Sequence, residues 1–169
     1  RRELGEVLRG EKRYPEAIEI WNQVLADKPN NENVLARIGD SYLDLGDLDT
    51  AERYYLKSLE AAPNDFARIG LLRIRRKRMA AAPTPPTGDE TEKVVAEYED
   101  LLRQNPDGIR IASDLVDVYI AGGRKDKAQE VIRSLCQRAE RDRDRAKKLL
   151  PLLRETLERH FFGGEDPEG

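Results

Sequence analysis

The residues of this sequence that could take part in catalysis are few and lie apart from one another. The single histidine, His160, stands beside Phe161, and the single cysteine, Cys136, follows Leu135. A cysteine nucleophile needs an activating base, and a zinc site needs several Cys or His ligands at short spacing. Neither pattern occurs, so we predict structural roles for His160 and Cys136, no metal and no cofactor. The chain is predicted not to be an enzyme.

Glycine pairs and carboxylates give no site either. Gly122-Gly123 and Gly163-Gly164 lack the residues that flank a phosphate-binding loop, and are predicted to form a turn and a tail. Carboxylate pairs are numerous, but on charged helices they usually form solvated faces.

The most distinctive charged feature is the run Arg73-Ile-Arg75-Arg76-Lys77-Arg78. It could bind phosphate groups, act as a nuclear-import signal or anchor an acidic peptide. It could equally be the end of a helix, where cations interact favourably with the helix dipole and with acidic neighbours. Nucleic acid is disfavoured because no aromatic residues alternate with the arginines and the net charge is −3.

Any of these groups would be positioned by helices, because the sequence repeats with a period of 34 residues. Four pairs of like residues show this offset: Gly5 and Gly39, Ala17 and Ala51, Trp21 and Tyr55, and Pro29 and Pro63. A period of this length is typical of a two-helix unit that buries its apolar face only against neighbouring units. The chain is therefore predicted to be a stack of helical hairpins that binds something.

The residues between these markers resemble the tetratricopeptide repeat. The resemblance rests on Leu35-x2-Ile38-Gly39-x2-Tyr42, Ala51-x3-Tyr55 and Pro63, and on Leu4-Gly5-x2-Leu8, Ala17-x3-Trp21 and Pro29 before them. Glycine and alanine allow the two helices to pack closely, the aromatic residue fills the seam, and proline ends the second helix. The resemblance implies an all-α, right-handed solenoid of antiparallel helix hairpins.

Two further repeats are less regular. Ala112-x2-Leu115-Val116-x2-Tyr119 with Ala128-x3-Ile132 resembles a fourth repeat, with Val116 at the glycine site and Glu140 at the proline site. In the third repeat, prolines and a glycine indicate a loop at 81–90. The small site of that repeat is either Gly70, from a local copy of Ala-Arg-Ile-Gly, or Arg73, from strict periodicity. We favour Gly70, because a glycine suits a crowded helix crossing.

The predicted boundaries follow from these signals. Helices are expected near 1–11, 15–28, 32–45, 49–61, 65–80, 90–105, 109–121 and 126–141. They form four hairpins at 1–30, 31–64, 65–107 and 108–142, together a repeat domain at 1–142. An apolar stripe from Ala146 to Phe161 predicts a C-terminal capping helix at 143–162, followed by a flexible tail at 163–169. A single long helix from 126, bent at Pro151, is the alternative.

Composition agrees with thin two-layer packing. Hydrophobic residues make up 38% and charged residues 37%, with only three Phe and one Trp. No run is long and apolar enough for a transmembrane helix, and one cysteine weakly favours the cytoplasm. By the period, Arg1 stands where a helix core residue is expected, so we expect the native polypeptide to extend further at its N-terminus.

The resemblance also implies a groove lined by the first helix of each hairpin. The polar residues that would point into it are Arg2, Glu6, Arg9, Asn33, Arg37, Asp40, Asp44, Arg68, Arg75, Arg110, Asp114 and Asp117. They carry both signs, and we expect Arg37 and Arg68 to face solvent. In chaperone-binding members of the family, lysine and asparagine residues hold a C-terminal carboxylate. Here Glu6 and Arg37 replace the asparagines, which argues against such a clamp.

The predicted function is a non-catalytic scaffold for protein-protein interaction that binds a peptide or a partner's helix in this groove. Two alternatives stay open: a regulatory or assembly segment of a larger protein, and anion or nucleic-acid binding through 73–78. We expect another protein or a peptide as the partner, and the C-terminal helix could mediate self-association.

Overall fold

The fold is all-α, as predicted. The computed structural model describes residues 1–84 and 87–141, and the single residues 144, 147, 151, 154 and 158. The helices are α1 (Arg2–Gly10), α2 (Tyr14–Asp27), α3 (Glu32–Leu45), α4 (Leu48–Ala61), α5 (Asp65–Ala81), α6 (Gly88–Gln104), α7 (Ile109–Ala121) and α8 (Lys125–Glu140). Each begins and ends within two residues of its predicted bounds.

The chain divides into two compact units, unit 1 at residues 1–86 and unit 2 at residues 87–169. Unit 1 contains α1 to α5, and unit 2 contains α6 to α8. The boundary falls inside the segment 65–107, so the pairing of α5 with α6 as a third hairpin stays a prediction.

The loop predicted at 81–90 is too long at its C-terminal end. Residues Gly88 to Glu90 form the first turn of α6, because Thr87 caps this helix. The Thr87 hydroxyl accepts a hydrogen bond from the Glu90 N–H at 3.3 Å, and the Glu90 carboxylate accepts one from the Thr87 N–H at 2.9 Å. The sequence shows this capping box as Thr87-x-x-Glu90, a pattern that indicates the start of a helix. The prediction gave more weight to the nearby prolines and therefore extended the loop to residue 90.

An N-cap residue and two glycines with positive φ also define the turns after α3 and α7. Asp47 caps α4 by accepting a hydrogen bond from the Thr50 N–H at 3.1 Å, which places Asp49 in the first turn. Gly46 and Gly123 follow the ends of α3 and α7 with φ of 84° and 73°. Glycine adopts this left-handed conformation without strain, and Gly123 confirms the turn predicted at Gly122-Gly123.

Unit 1 packs through aromatic rings that lie against glycines. A Cβ atom on Gly5 would lie 2.3 Å from the Trp21 ring, and one on Gly39 would lie 2.8 Å from the Tyr55 ring. The Tyr55 ring also lies against α5, because a Cβ atom on Gly70 would approach it to 2.2 Å. The choice of Gly70 over Arg73 as the small site is thus confirmed. Tyr55 is fully buried between these two glycines.

Unit 2 solves the same packing problem with different side chains. The positions of Gly39 and Tyr55 correspond, 77 residues later, to Val116 and Ile132, and both of these are buried. A larger residue on the first helix is therefore matched by a smaller one on the second, which keeps the seam filled.

Several predictions fall on residues outside the described ones. These are the capping helix at 143–162, apart from five single residues, the tail at 163–169 and the alternative of one helix bent at Pro151. In the described part of the chain, no helix combines the length and the apolar character needed to cross a membrane.

Candidate functional site

Unit 1 presents a cluster of charged side chains on its first helices, where the groove is predicted. We call this surface the first-helix face. Its members are Glu6, Arg9, Arg37, Asp40, Asp44 and Phe66. The first two lie on α1, the next three on α3 and Phe66 at the start of α5.

Asp40 lies at the centre of the cluster. Its side chain is only 6% exposed, and Oδ1 accepts a hydrogen bond from the Tyr55 hydroxyl at 2.7 Å. Its other oxygen, Oδ2, lies 3.7 Å from Arg9 Nη1 and 3.4 Å from Arg37 Nη1. A buried carboxylate must be compensated in this way, because an isolated charge away from water is very unfavourable.

Arg9 links Asp40 to Asp44. Both Nε and Nη2 of Arg9 donate hydrogen bonds to Asp44 Oδ2, at 3.1 and 3.0 Å. Burial disfavours the charged guanidinium, but the carboxylates of Asp40 and Asp44 outweigh it and raise the pKa of Arg9. Arg9 therefore stays charged and holds two carboxylates of α3 against α1.

Arg37 links the charged cluster to an exposed aromatic ring. Its Nε lies 2.8 Å from Glu6 Oε1, and its guanidinium carbon lies 4.8 Å from the centre of the Phe66 ring. Phe66 itself is 42% exposed. Glu6, Arg37 and Phe66 thus form a row of contacts across α1, α3 and α5, joined by an ion pair and a cation–π contact.

The buried Tyr55 supports this surface from the core of unit 1, through its hydroxyl group. Burial, and then the negative charge and hydrogen bond of Asp40, raise the pKa of the Tyr55 hydroxyl far above its usual range. The phenol therefore stays protonated and acts as a fixed hydrogen-bond donor. Its role here is to position Asp40.

The structure brings together five of the polar residues predicted for unit 1, namely Glu6, Arg9, Arg37, Asp40 and Asp44. The other four have separate surroundings. Arg2 and Asn33 are exposed, and the Asn33 amide donates to Glu32 Oε1 at 2.8 Å. Arg68 Nη1 lies 3.5 Å from Asp65 Oδ1 on the same helix, α5. Arg75 is half-buried.

The expectation that Arg37 faces solvent is wrong, whereas the Arg68 side chain is 39% exposed. The Arg37 side chain is only 25% exposed because Glu6, Asp40 and Phe66 surround it. An alternation of signs on adjacent helices was visible in the sequence. It predicted mixed charge but not that the charges would neutralise one another.

The three residues predicted on α7 belong to unit 2 and differ in burial. Arg110 is exposed and Asp117 is half-buried. Asp114 is 7% exposed, and its Oδ2 accepts a hydrogen bond from the Tyr98 hydroxyl at 3.5 Å. Asp114 is therefore a structural partner of α6, as Asp40 is of α4.

Two members of the site were missed from the sequence. Tyr55 was assigned to packing alone, because its position in the repeat gives no sign that its hydroxyl reaches Asp40. Phe66 stands where the Gly70 register matches the buried Leu35, so the pattern gives no reason to expect it at the surface. Its aromatic character beside a helix start was the only available signal.

The structure describes only one of the two groups considered for catalysis. Cys136 is half-buried, and His160 lies outside the described residues. In the residues that the structure describes, no group of three His, Cys, Asp or Glu side chains could hold a metal ion.

The basic run on α5 interacts with its surroundings. Arg78 Nη2 lies 2.8 Å from Asp49 Oδ1 and 2.7 Å from Glu52 Oε2, both on α4. These carboxylates raise the pKa of the exposed Arg78. Arg73, Arg75 and Arg76 also have interactions within the chain.

Comparison with known proteins gives a consistent picture. The family model of the tetratricopeptide repeat matches residues 8–73. Heat shock protein STI1 of Saccharomyces cerevisiae is 35% identical over 78 residues, which are 46% of this chain and 13% of the yeast protein. The chain thus spans only a small part of that relative.

Solved structures agree at the level of the fold. A thermophilic TPR protein of Thermus thermophilus has a TM-score of 0.69 at 20% identity, covering 89% of this chain and 78% of that one. A tetratricopeptide repeat protein of Parabacteroides merdae has a TM-score of 0.63 at 16% identity, covering 99% and 65%. The family model identifies residues 8–73 as a tetratricopeptide repeat segment, and the solved structures show that the chain resembles TPR proteins in fold.

Proposed function

We propose that the protein is a non-catalytic interaction module and that its first-helix face binds a segment of another protein. The observation that carries the proposal is the exposed Phe66 ring, which lies under a guanidinium that is itself held by Glu6 and Asp40. An aromatic residue fixed at the surface beside charged groups is the kind of anchor that dominates protein interfaces.

The charges of this surface favour a particular type of segment. The two arginines are outnumbered by the three carboxylates, and Asp40 is buried while Glu6 and Asp44 are 46% and 35% exposed. A ligand therefore meets carboxylate edges around an apolar ring. We propose a segment with an apolar side chain that packs on Phe66 and a Lys or Arg that reaches Glu6 or Asp44.

Preorganisation supports the same surface. Arg9, Arg37 and Asp44 are held by partners within unit 1 before any ligand arrives. Binding then costs little additional side-chain entropy, which is one of the main terms opposing association. A free C-terminal carboxylate is disfavoured as the ligand, because Glu6 places a negative charge on this face.

Anion binding by the run 73–78 has less support. Arg78 is occupied by Asp49 and Glu52, and a phosphate would have to displace two carboxylates at 2.8 and 2.7 Å. An apolar side chain that packs on the exposed Phe66 ring breaks no ion pair.

The proposal predicts that Phe66→Ser greatly weakens partner capture. Tagged protein would be incubated with lysate of the source cells, and bound proteins quantified by mass spectrometry. Loss of an aromatic anchor is expected to lower recovery of the specific partner about tenfold or more. Leu56→Ser is the matched control, since Leu56 is exposed to a similar degree but lies on the second helix α4.

The helical content of both variants should match the parent by circular dichroism. If Phe66→Ser captured the same proteins in the same amounts as Leu56→Ser, the first-helix face would not be the binding surface.

A further inference from the structure

Unit 2 contains a cavity in which Tyr119 is open to the lining surface, whereas the corresponding Tyr42 of unit 1 is covered by an aromatic ring. The cavity has a volume of about 450 Å³ and lies over α7, between α6 and α8. Its apolar lining consists of Leu102, Pro106, Leu115, Tyr119, Val131 and Leu135. This volume is within the range of sites that take a large side chain or a small ligand.

The repeat shows which side chain covers the corresponding tyrosine in unit 1. Residues of unit 1 correspond to those of unit 2 at an offset of 77, so that Tyr42 matches Tyr119 and Tyr54 matches Val131. In unit 1 the Tyr54 ring stacks on Tyr42, with centroids 5.6 Å apart and planes at 15°. Unit 1 keeps a hollow of about 610 Å³ beside this stack; Tyr54 and Lys57 line it, and Tyr42 and Ile38 do not.

A second substitution removes a cation from the same place. In unit 1, Lys57 Nζ lies 5.5 Å from the centre of the Tyr54 ring. The residue at the corresponding position of unit 2 is Ser134, one turn after Val131 on α8. Unit 2 therefore lacks both the aromatic ring that stacks on Tyr42 in unit 1 and the cation that lies over that ring.

The charges around the cavity are unevenly compensated. The three cations of the lining each have a carboxylate partner. Arg103 Nη1 lies 3.2 Å from Asp100 Oδ1, Arg138 Nη1 lies 3.6 Å from Asp107 Oδ1, and Lys127 Nζ lies 3.5 Å from Glu130 Oε2.

Glu99 accepts a hydrogen bond from the Tyr119 hydroxyl but, in residues 1–84 and 87–141, has no cation within ion-pair distance. Burial raises the pKa of Tyr119, and the hydrogen bond to Glu99 and the charges of Glu99 and Glu130 raise it further.

We propose that this cavity binds a helix of a partner protein that carries an aromatic residue and, three positions later, a Lys or Arg. The aromatic ring of the partner would cover Tyr119 and Leu115, in the way that the Tyr54 ring covers Tyr42 in unit 1. The cation of the partner would pair with Glu99 or Glu130. The partner thus supplies in trans the pair that Tyr54 and Lys57 supply within unit 1. This site is independent of the first-helix face.

The test uses tyramine, which joins a phenol ring to an ammonium group, as the probe. Backbone amide shifts of the ¹⁵N-labelled protein would be followed by NMR during titration. A fragment of this size is expected to bind with a Kd on the order of 1–10 mM, with shifts concentrated at Leu102, Val131 and Ser134. The analogue 3-(4-hydroxyphenyl)propionate, which carries a carboxylate instead, should bind at least about fivefold more weakly because of Glu99.

Two variants make the result specific. Val131→Tyr restores the ring of unit 1 and should abolish tyramine binding, while Ser134→Lys restores the cation and should weaken it about threefold or more through competition for Glu130. Both positions lie at least partly at the surface of α8, so helical content should be retained.

Three results would overturn the proposal. They are an absence of shifts at these residues up to 20 mM tyramine, equal binding of the two ligands, and shifts that both variants leave unchanged. Concentration-dependent shifts at the same residues in the protein alone would assign the cavity to a second copy of this chain, and would also overturn it.

Discussion

Asp40→Ala is expected to destabilise unit 1 by about 2–4 kcal/mol, the largest effect of any single charge removal in the first-helix face. The carboxylate is buried and holds three groups at once, namely the guanidiniums of Arg9 and Arg37 and the hydroxyl of Tyr55. Its removal leaves a half-buried pair of cations and a buried donor without their acceptor.

Urea unfolding followed by tryptophan fluorescence measures this loss directly. The single tryptophan, Trp21, is 1% exposed in the core of unit 1 and reports on that unit. Asp49→Ala is the matched control, because Asp49 is 90% exposed and its ion pair with Arg78 lies at the surface, where such pairs contribute little. Equal stability of the two variants would contradict the structural role of Asp40.

Gly70→Ala is expected to destabilise unit 1 by about 1–3 kcal/mol, although alanine normally stabilises a helix relative to glycine by about 1 kcal/mol. The new Cβ atom would lie 2.2 Å from the Tyr55 ring. That ring cannot move away easily, because Gly39 contacts its other side and its hydroxyl is bonded to Asp40. The steric cost therefore exceeds the gain in helix propensity.

Gly10→Ala provides the comparison, since a Cβ atom there would meet nothing within 4 Å. We expect no loss of stability for this variant in the same urea experiment. A Gly70→Ala protein as stable as Gly10→Ala would show that α5 does not pack on Tyr55 as described.

The sequence predicts the helices of this protein well because their signals are local. Caps such as Asp47, αL glycines such as Gly46 and the spacing of Ala51 and Tyr55 act within one or two turns. The loop at 81–90 was too long because a proline-rich composition outweighed the capping box at Thr87. The start of α6 can nevertheless be predicted from Thr87 and Glu90, which lie three positions apart in the sequence.

The candidate site was harder to predict because its contacts cross from one hairpin to the next. The repeat placed Glu6, Arg37 and Asp40 on the correct helices, but each could have faced solvent. That Arg37 reaches Glu6 on one side and Phe66 on the other depends on how far α1, α3 and α5 are offset. The packing of Trp21 and Tyr55 against glycines sets this offset between the helices. The repeat pattern of the sequence does not predict the size of the offset.

The central claim, that the first-helix face binds another protein, can be tested by site-specific photocrosslinking. A benzophenone side chain would replace Asn33, which is exposed on α3 one turn before Arg37, or Arg53, which is exposed on the second helix α4. We predict that irradiation in lysate of the source cells links a partner to the Asn33 variant, and that Phe66→Ser removes this product. Crosslinking to the same partner from position 53 but not from position 33 would contradict the account.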